Sequence, residues 1–234
     1  MKELIDSRNE ELWNSLNKKY NITFKDSNNG EYSCYSENDD ITFYIMSNNL
    51  CKDSFTHEML HVYLRMNDCF IGAGLKNTIC QNKILTSMLS IDLLEHMGNC
   101  LDHIKMLPLY LDMKFEREKF ILDYNTHKCT PEALTFLKRN YKQGGKVNAK
   151  AVDLYIGKFF AMIADPNNSY DYSNELESLK RIDPLLFKIN KRMIDFWSEI
   201  KIKNRQIFDD DYHSVLFEYY DNFLTWISKN KIAI

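Results

Sequence analysis

Residues Phe55 to Leu64 (Phe-Thr-His-Glu-Met-Leu-His-Val-Tyr-Leu) constrain the fold of this chain more than any other stretch. On a helix His57 and His61 stand four residues apart and share a face, with the Glu58 carboxylate beside the first ring. Met59, Leu60, Val62, Tyr63 and Leu64 make the same helix apolar over most of its circumference, which predicts that it is buried. A buried helix that carries two imidazoles and a carboxylate has to satisfy them, and one divalent ion shared by both rings does so economically.

The rest of the chain is long and apolar enough to enclose such a helix. Its 234 residues are 44% hydrophobic and 13% aromatic, sufficient to bury a full core. The formal net charge of −3 comes from interleaved Lys and Asp/Glu with no basic block, which argues against a nucleic-acid partner. The first residues, Met-Lys-Glu-Leu-Ile-Asp-Ser-Arg, have no apolar signal core, and no window approaches the roughly 18 apolar residues of a membrane span. A soluble, cytoplasmic protein is therefore expected. The cysteines (Cys34, Cys51, Cys69, Cys80, Cys100 and Cys129) form no CxxC pair, and are expected to be reduced and mainly buried thiols.

Periodicity divides the chain into elements. Residues 2–19 place Leu4, Ile5, Leu12, Trp13 and Leu16 at helical spacing, and Asn21 to Lys25 reads as a short strand. Glu31 to Ser36 and Ile41 to Met46 are β-prone runs joined by Glu37 to Asp40, a hairpin signal, so a small antiparallel sheet is expected before the histidine-bearing helix. Asp53 or Ser54 is the expected N-cap of that helix, which runs to about Met66. Asn67 to Lys83, with Gly72 and Gly74 and no clean period, reads as a surface excursion, with a mobile loop over the cleft as the alternative. Ile84 to Leu107 is helical and is expected to stop at Pro108. Further helices are expected over Leu107 to Tyr124, Pro131 to Tyr141, Val147 to Ile163, Tyr170 to Lys180, Pro184 to Ile200 and Asp210 to Lys229. Breaks between them fall at Thr126 to Thr130, Gln143 to Gly145, Asp165 to Ser169 and Asn204 to Ile207.

His57-Glu58-Met59-Leu60-His61 is the HExxH signature of zinc peptidases. In that chemistry zinc has three protein ligands and one open position, and the glutamate acts as general base toward the water held there. His57 and His61 supply two ligands and Glu58 the base. The residues after His61 (Val-Tyr-Leu-Arg-Met-Asn-Asp) lack a Gly or His at the metzincin offsets, so the third ligand has to come from a second helix. Glu95, Asn99 and His103 form a polar stripe at successive i+4 steps, bordered by Asp102. His103 is the first candidate for third ligand, and Glu95 and Asp102 are the alternatives. His96 reads as an ordinary helical histidine. Tyr63, Tyr110, Tyr155, His127 and His213 are candidates to stabilise a developing oxyanion.

Over about residues 40–108 the chain resembles compact zincin metallopeptidases, including the ImmA/IrrE-type group. In that group a second helix carries an acidic ligand followed by a small residue, an asparagine and a later proline. Glu95, Gly98, Asn99 and Pro108 follow that order, while Asn99-x-x-Asp102-His103 offers the competing reading in which His103 binds the metal. The resemblance implies an α+β, mostly helical fold. It would have a zincin-like metal-binding half over 1–108, with its sheet and two ligand helices, and a helical bundle over 109–234 packed on it. It also implies a Zn2+ cofactor and a peptide or protein substrate. The alternative is a regulatory or protein-binding module on the same scaffold, with a structural or vestigial metal and a regulatory protein partner.

Overall fold

The computed structural model of the chain describes residues 2–203 and 209–233. In chain order α1 spans Glu10–Lys19, β1 Asn21–Asp26, β2 Ser33–Glu37, β3 Asp40–Ile45, α2 Lys52–Met66, α3 Ile71–Cys80, α4 Lys83–Met88 and α5 Ile91–Asp112. There follow α6 Pro131–Asn140, β4 Lys142–Gln143, β5 Lys146–Asn148, α7 Ala149–Ile163, α8 Ser173–Ile182, α9 Pro184–Glu199, α10 Tyr212–Ser228 and β6 Lys231–Ala233. The fold is α+β and mostly helical, as the periodicities predict. The break expected at Asn204 to Ile207 lies outside the described residues. Among the described residues no helix is long and apolar enough to cross a membrane.

The chain divides into two units, each discontinuous in sequence: Met1–Cys69 with Lys105–Tyr124, and Phe70–Ile104 with Asn125–Ile234. The sequence-based expectation is two halves, 1–108 and 109–234, packed as one compact unit. The helix α5 runs through that boundary and belongs to both units.

In the first unit β3 takes the centre of a three-stranded sheet of order β1-β3-β2. The reason is burial: Ile41, Phe43 and Ile45 alternate as buried residues along β3, while β1 and β2 bury no residue fully and lie at the edges. β2 pairs antiparallel to β3, from Ser33↔Tyr44 to Glu37↔Asp40, across a turn that holds Asn38 in the left-handed region. β1, however, pairs parallel to β3, from Asn21↔Asp40 to Asp26↔Ile45. The sheet is thus mixed and not antiparallel as expected, because the most apolar strand inserts between the other two.

Trp13 of α1, Phe24 of β1, Phe43 of β3 and Phe55 of α2 form one aromatic cluster, with ring centroids 5.1–6.0 Å apart, that seats α1 and α2 on the sheet. The helix expected from residue 2 is instead a 3₁₀ turn at Lys2–Leu4 followed by α1. Asn9 makes the break: its buried side chain accepts from the Asp6 N–H and donates to the Leu4 carbonyl and to Thr56 Oγ1. α2 starts at Lys52 with Cys51 at its N-cap, two residues before Asp53 and three before Ser54, the expected caps.

α5 does not stop at Pro108. It continues to Asp112, because losing one backbone donor at the proline is offset by the burial of Tyr110 on the added turn, where it is 0% exposed. The helix expected over Leu107 to Tyr124 accordingly ends at Asp112. Lys114 takes a positive φ, and the remainder has only a 3₁₀ turn at Arg117–Lys119.

In the second unit the expected surface excursion is largely helical, as α3. Gly74 lies where a Cβ would stand 2.6 Å from Leu216 Cδ1 of α10, so close packing explains a residue that composition alone assigns to a loop. The core of this unit is built from α7, α9 and α10 around Phe159, Phe160, Trp197, Phe223 and Trp226. Asp183 caps α9 by accepting from the Leu185 and Leu186 amides, and its other oxygen accepts from the Tyr141 hydroxyl and the Trp226 indole. A second sheet, β4-β5-β6, escaped the periodicity because its strands are two or three residues long. Gly144 and Gly145, expected as a break, are the positive-φ turn of its hairpin.

The cysteines are less uniformly buried than expected. Cys69, Cys100 and Cys129 are buried, Cys34 and Cys51 are intermediate, and Cys80 is exposed; no disulfide joins them.

Candidate metal centre

α2 carries Asp53, His57 and His61 at successive i+4 steps, so the three side chains rise along one stripe of the helix. The His57 and His61 rings lie 5.1 Å apart at 66°. Phe120 also packs on His57, with centroids 4.8 Å apart, and is itself 2% exposed. His103, from α5, completes a group: His57, His61 and His103 each offer a ring nitrogen, and the three atoms lie within 4.8 Å of one another. His61 and His103 are 9% and 8% exposed. His103 lies on the long helix α5, seven residues before Tyr110.

This donor set suits a borderline metal such as zinc. Imidazole nitrogens bind it at about 2.0–2.1 Å, and tetrahedral geometry then separates them by about 3.3 Å. Ring nitrogens that stand at most 4.8 Å apart would close by up to about 1.5 Å on binding, within the reach of side-chain rotation. Three imidazoles are neutral ligands, so an ion bound here keeps its full positive charge for polarising whatever takes a further position.

Glu58 flanks the group. Burial pushes its carboxyl pKa above the ordinary carboxylate range, and His61, the Cys34 thiol and the Arg65 guanidinium pull it part of the way back. Arg65, two turns on, donates to Ser36 Oγ at 2.8 Å and approaches Cys34 Sγ at 3.7 Å, which ties α2 to the edge strand β2. Burial raises the Cys34 thiol far above its ordinary pKa, so it stays protonated beside Glu58. Sequence reasoning did not single out Cys34 or Phe120; both reach the site through tertiary packing and carry no local signal.

The other sequence candidates lie elsewhere. Glu95 faces solvent, its side chain 64% exposed and paired with Lys76 Nζ at 3.2 Å. It is eight residues from His103, about 12 Å along the helix. Asp102 is half-buried and does not join the group of three. His96 sits against the Gly157 carbonyl and Cys100 Sγ, the ordinary packing expected of it. Of the proposed oxyanion donors, Tyr155 donates to the Leu179 carbonyl, His127 packs on Tyr170 and Tyr172, and His213 pairs with Asp211 at an exposed helix start. Tyr63 is buried on α2. Tyr110 packs on Phe120, the ring that lies against His57, and donates its hydroxyl to Asp53.

Comparison with protein-family models, with curated proteins and with solved structures finds no match to this chain.

Proposed function

We propose that this chain is a zinc-dependent metallopeptidase of compact zincin type, with His57, His61 and His103 as the metal ligands and Glu58 as general base. The observation that carries this reading is the convergence of three imidazoles from two helices within 4.8 Å, with the Glu58 carboxylate next in sequence to one of them. Zinc held there would supply a Lewis acid and a water of lowered pKa. Glu58 takes the proton of the attacking water and passes it to the departing amine. Its half-buried position keeps competing solvent away from that transfer. β2 supports a peptide as the substrate class: it is an edge strand beside Glu58, and an extended backbone can add to such an edge.

A second reading has its own support. His61, His103 and Phe120 are nearly buried, which favours a structural metal in a regulatory or protein-binding module. Against it, Glu95, the alternative third ligand, is turned to solvent and adds no fourth donor beside the three imidazoles.

Metal analysis of the purified protein is the test. The wild-type chain and Glu95→Ala are expected to hold one zinc per chain and His103→Ala to hold none. Zinc retained in His103→Ala would remove the ligand assignment. A wild-type chain that takes up zinc stoichiometrically but cleaves no member of a mixed peptide library would favour the structural reading.

A further inference from the structure

Resting on the metal-site reading, we infer that Tyr110 is a positioning residue: its bond to Asp53 sets the separation of the two ligand helices and so holds His103 in reach of His57 and His61. The Tyr110 hydroxyl donates to Asp53 Oδ1 at 3.3 Å. Asp53 belongs to the same stripe of α2 as His57 and His61, and Tyr110 lies seven residues beyond His103 on α5, two turns along nearly the same face. The lengths match: from Tyr110 back to His103 is about 10.5 Å of helix, and from Asp53 forward to the midpoint of His57 and His61 is about 9 Å. The helices are therefore pinned at one end by Tyr110 and Asp53, while the other end is where the imidazoles meet.

The pin is well supported. Tyr110 is 0% exposed, and its ring packs on Phe115 and Phe120 with centroids 5.1 Å away in each case. Phe120 in turn packs on His57. Arg8 lies 3.9 Å over the Phe115 ring and is bound by Asp6, so the segment after α5 is braced from the N-terminal turn as well. A site whose ligands come from separate elements gains affinity when their spacing is set before the ion arrives. This tether therefore acts on metal affinity without touching the metal.

The experiment is a zinc titration of the full chain against a chromophoric chelator. Tyr110→Phe, which keeps the ring and loses the hydroxyl, is expected to weaken zinc binding on the order of tenfold. Asp53→Ala is expected to do the same, the double variant to be no worse than either single one, and Asp53→Asn, which keeps the acceptor oxygen, to bind nearly as tightly as wild type. Ile194→Val, a buried substitution in the second unit, serves as the control for general loosening and is expected to leave affinity unchanged. Wild-type affinity in Tyr110→Phe, or additive losses in the double variant, would overturn the positioning role while leaving the metal site standing. A wild-type chain that binds no zinc would overturn the site itself, and the role with it.

Discussion

Gly72 of α3 and Gly98 of α5 meet backbone to backbone: a Cβ placed on Gly98 would lie 2.7 Å from the Gly72 Cα, and one placed on Gly72 would lie 3.3 Å from the Gly98 Cα. The two positions predict different outcomes. Alanine gains about 1 kcal/mol over glycine in a helix interior. At Gly98 that gain is outweighed by a clash with backbone that cannot turn aside, so Gly98→Ala is expected to destabilise by about 1–3 kcal/mol. At Gly72 the neighbour has to give only a few tenths of an ångström, and the two effects nearly cancel. Urea unfolding of both variants checks the ordering; equal midpoints would mean that the helices do not meet this closely.

Glu58→Gln preserves shape and removes the proposed base. The expected outcome is wild-type zinc content with peptide hydrolysis reduced by about 10²- to 10⁴-fold. Zinc content comes from elemental analysis and hydrolysis from cleavage of a quenched-fluorescence peptide library. Undiminished hydrolysis in the variant would remove Glu58 from the chemistry.

Asn9→Ala is expected to cost about 2 kcal/mol. Asn9 is 0% exposed and serves three partners, the Asp6 amide, the Leu4 carbonyl and Thr56 Oγ1, so its loss strands polar groups at the start of α1, one of them on Thr56, next in sequence to His57. Thermal unfolding with and without zinc measures it; a loss under about 0.5 kcal/mol would show that solvent replaces those bonds.

Asp6 gives a pH dependence whose sign is fixed. The Arg8 guanidinium, 2.8 Å from Asp6 Oδ2, holds the carboxyl well below the usual carboxylate range, and Lys52 adds to the effect at 3.3 Å. The unfolded chain binds this proton at a higher pH than the folded one. The stability Asp6 contributes is therefore complete above about pH 4 and drains away as the pH falls from there toward the lowered folded value. Because the pair lies near the surface, its worth is under about 1 kcal/mol. Asp6→Asn should be less stable than wild type at pH 7, with the gap narrowing below pH 4. A gap that stays constant down to pH 2.5 would contradict the assignment.

Much of the helical half was legible because helix periodicity is a local property. Pro131 and Pro184 mark helix starts that the structure places at those positions. The misses share a physical cause. α3 was hidden by Gly72 and Gly74, which look like loop residues until the neighbouring helices supply the contacts that require them. The turn of α5 beyond Pro108 was hidden because a proline's local cost is visible in sequence, whereas the burial of Tyr110 that offsets it is not. β1 was read as a strand, but its parallel partner depends on which strand is most buried.

At the site, the spacing of His57, Glu58 and His61 on one helix follows from the sequence alone, since residues four apart share a face wherever that helix lies. The second helix offered His103 first, with Glu95 and Asp102 as alternatives, and no local rule decides among them, because the rotation of one helix about its axis relative to another is set by packing. In the folded chain Glu95 is turned to Lys76 and solvent, and His103 reaches the other two imidazoles. Short-range geometry therefore wrote two of the three imidazoles of the group, and the packing of α5, whose Tyr110 donates to Asp53 of α2, brought the third to them.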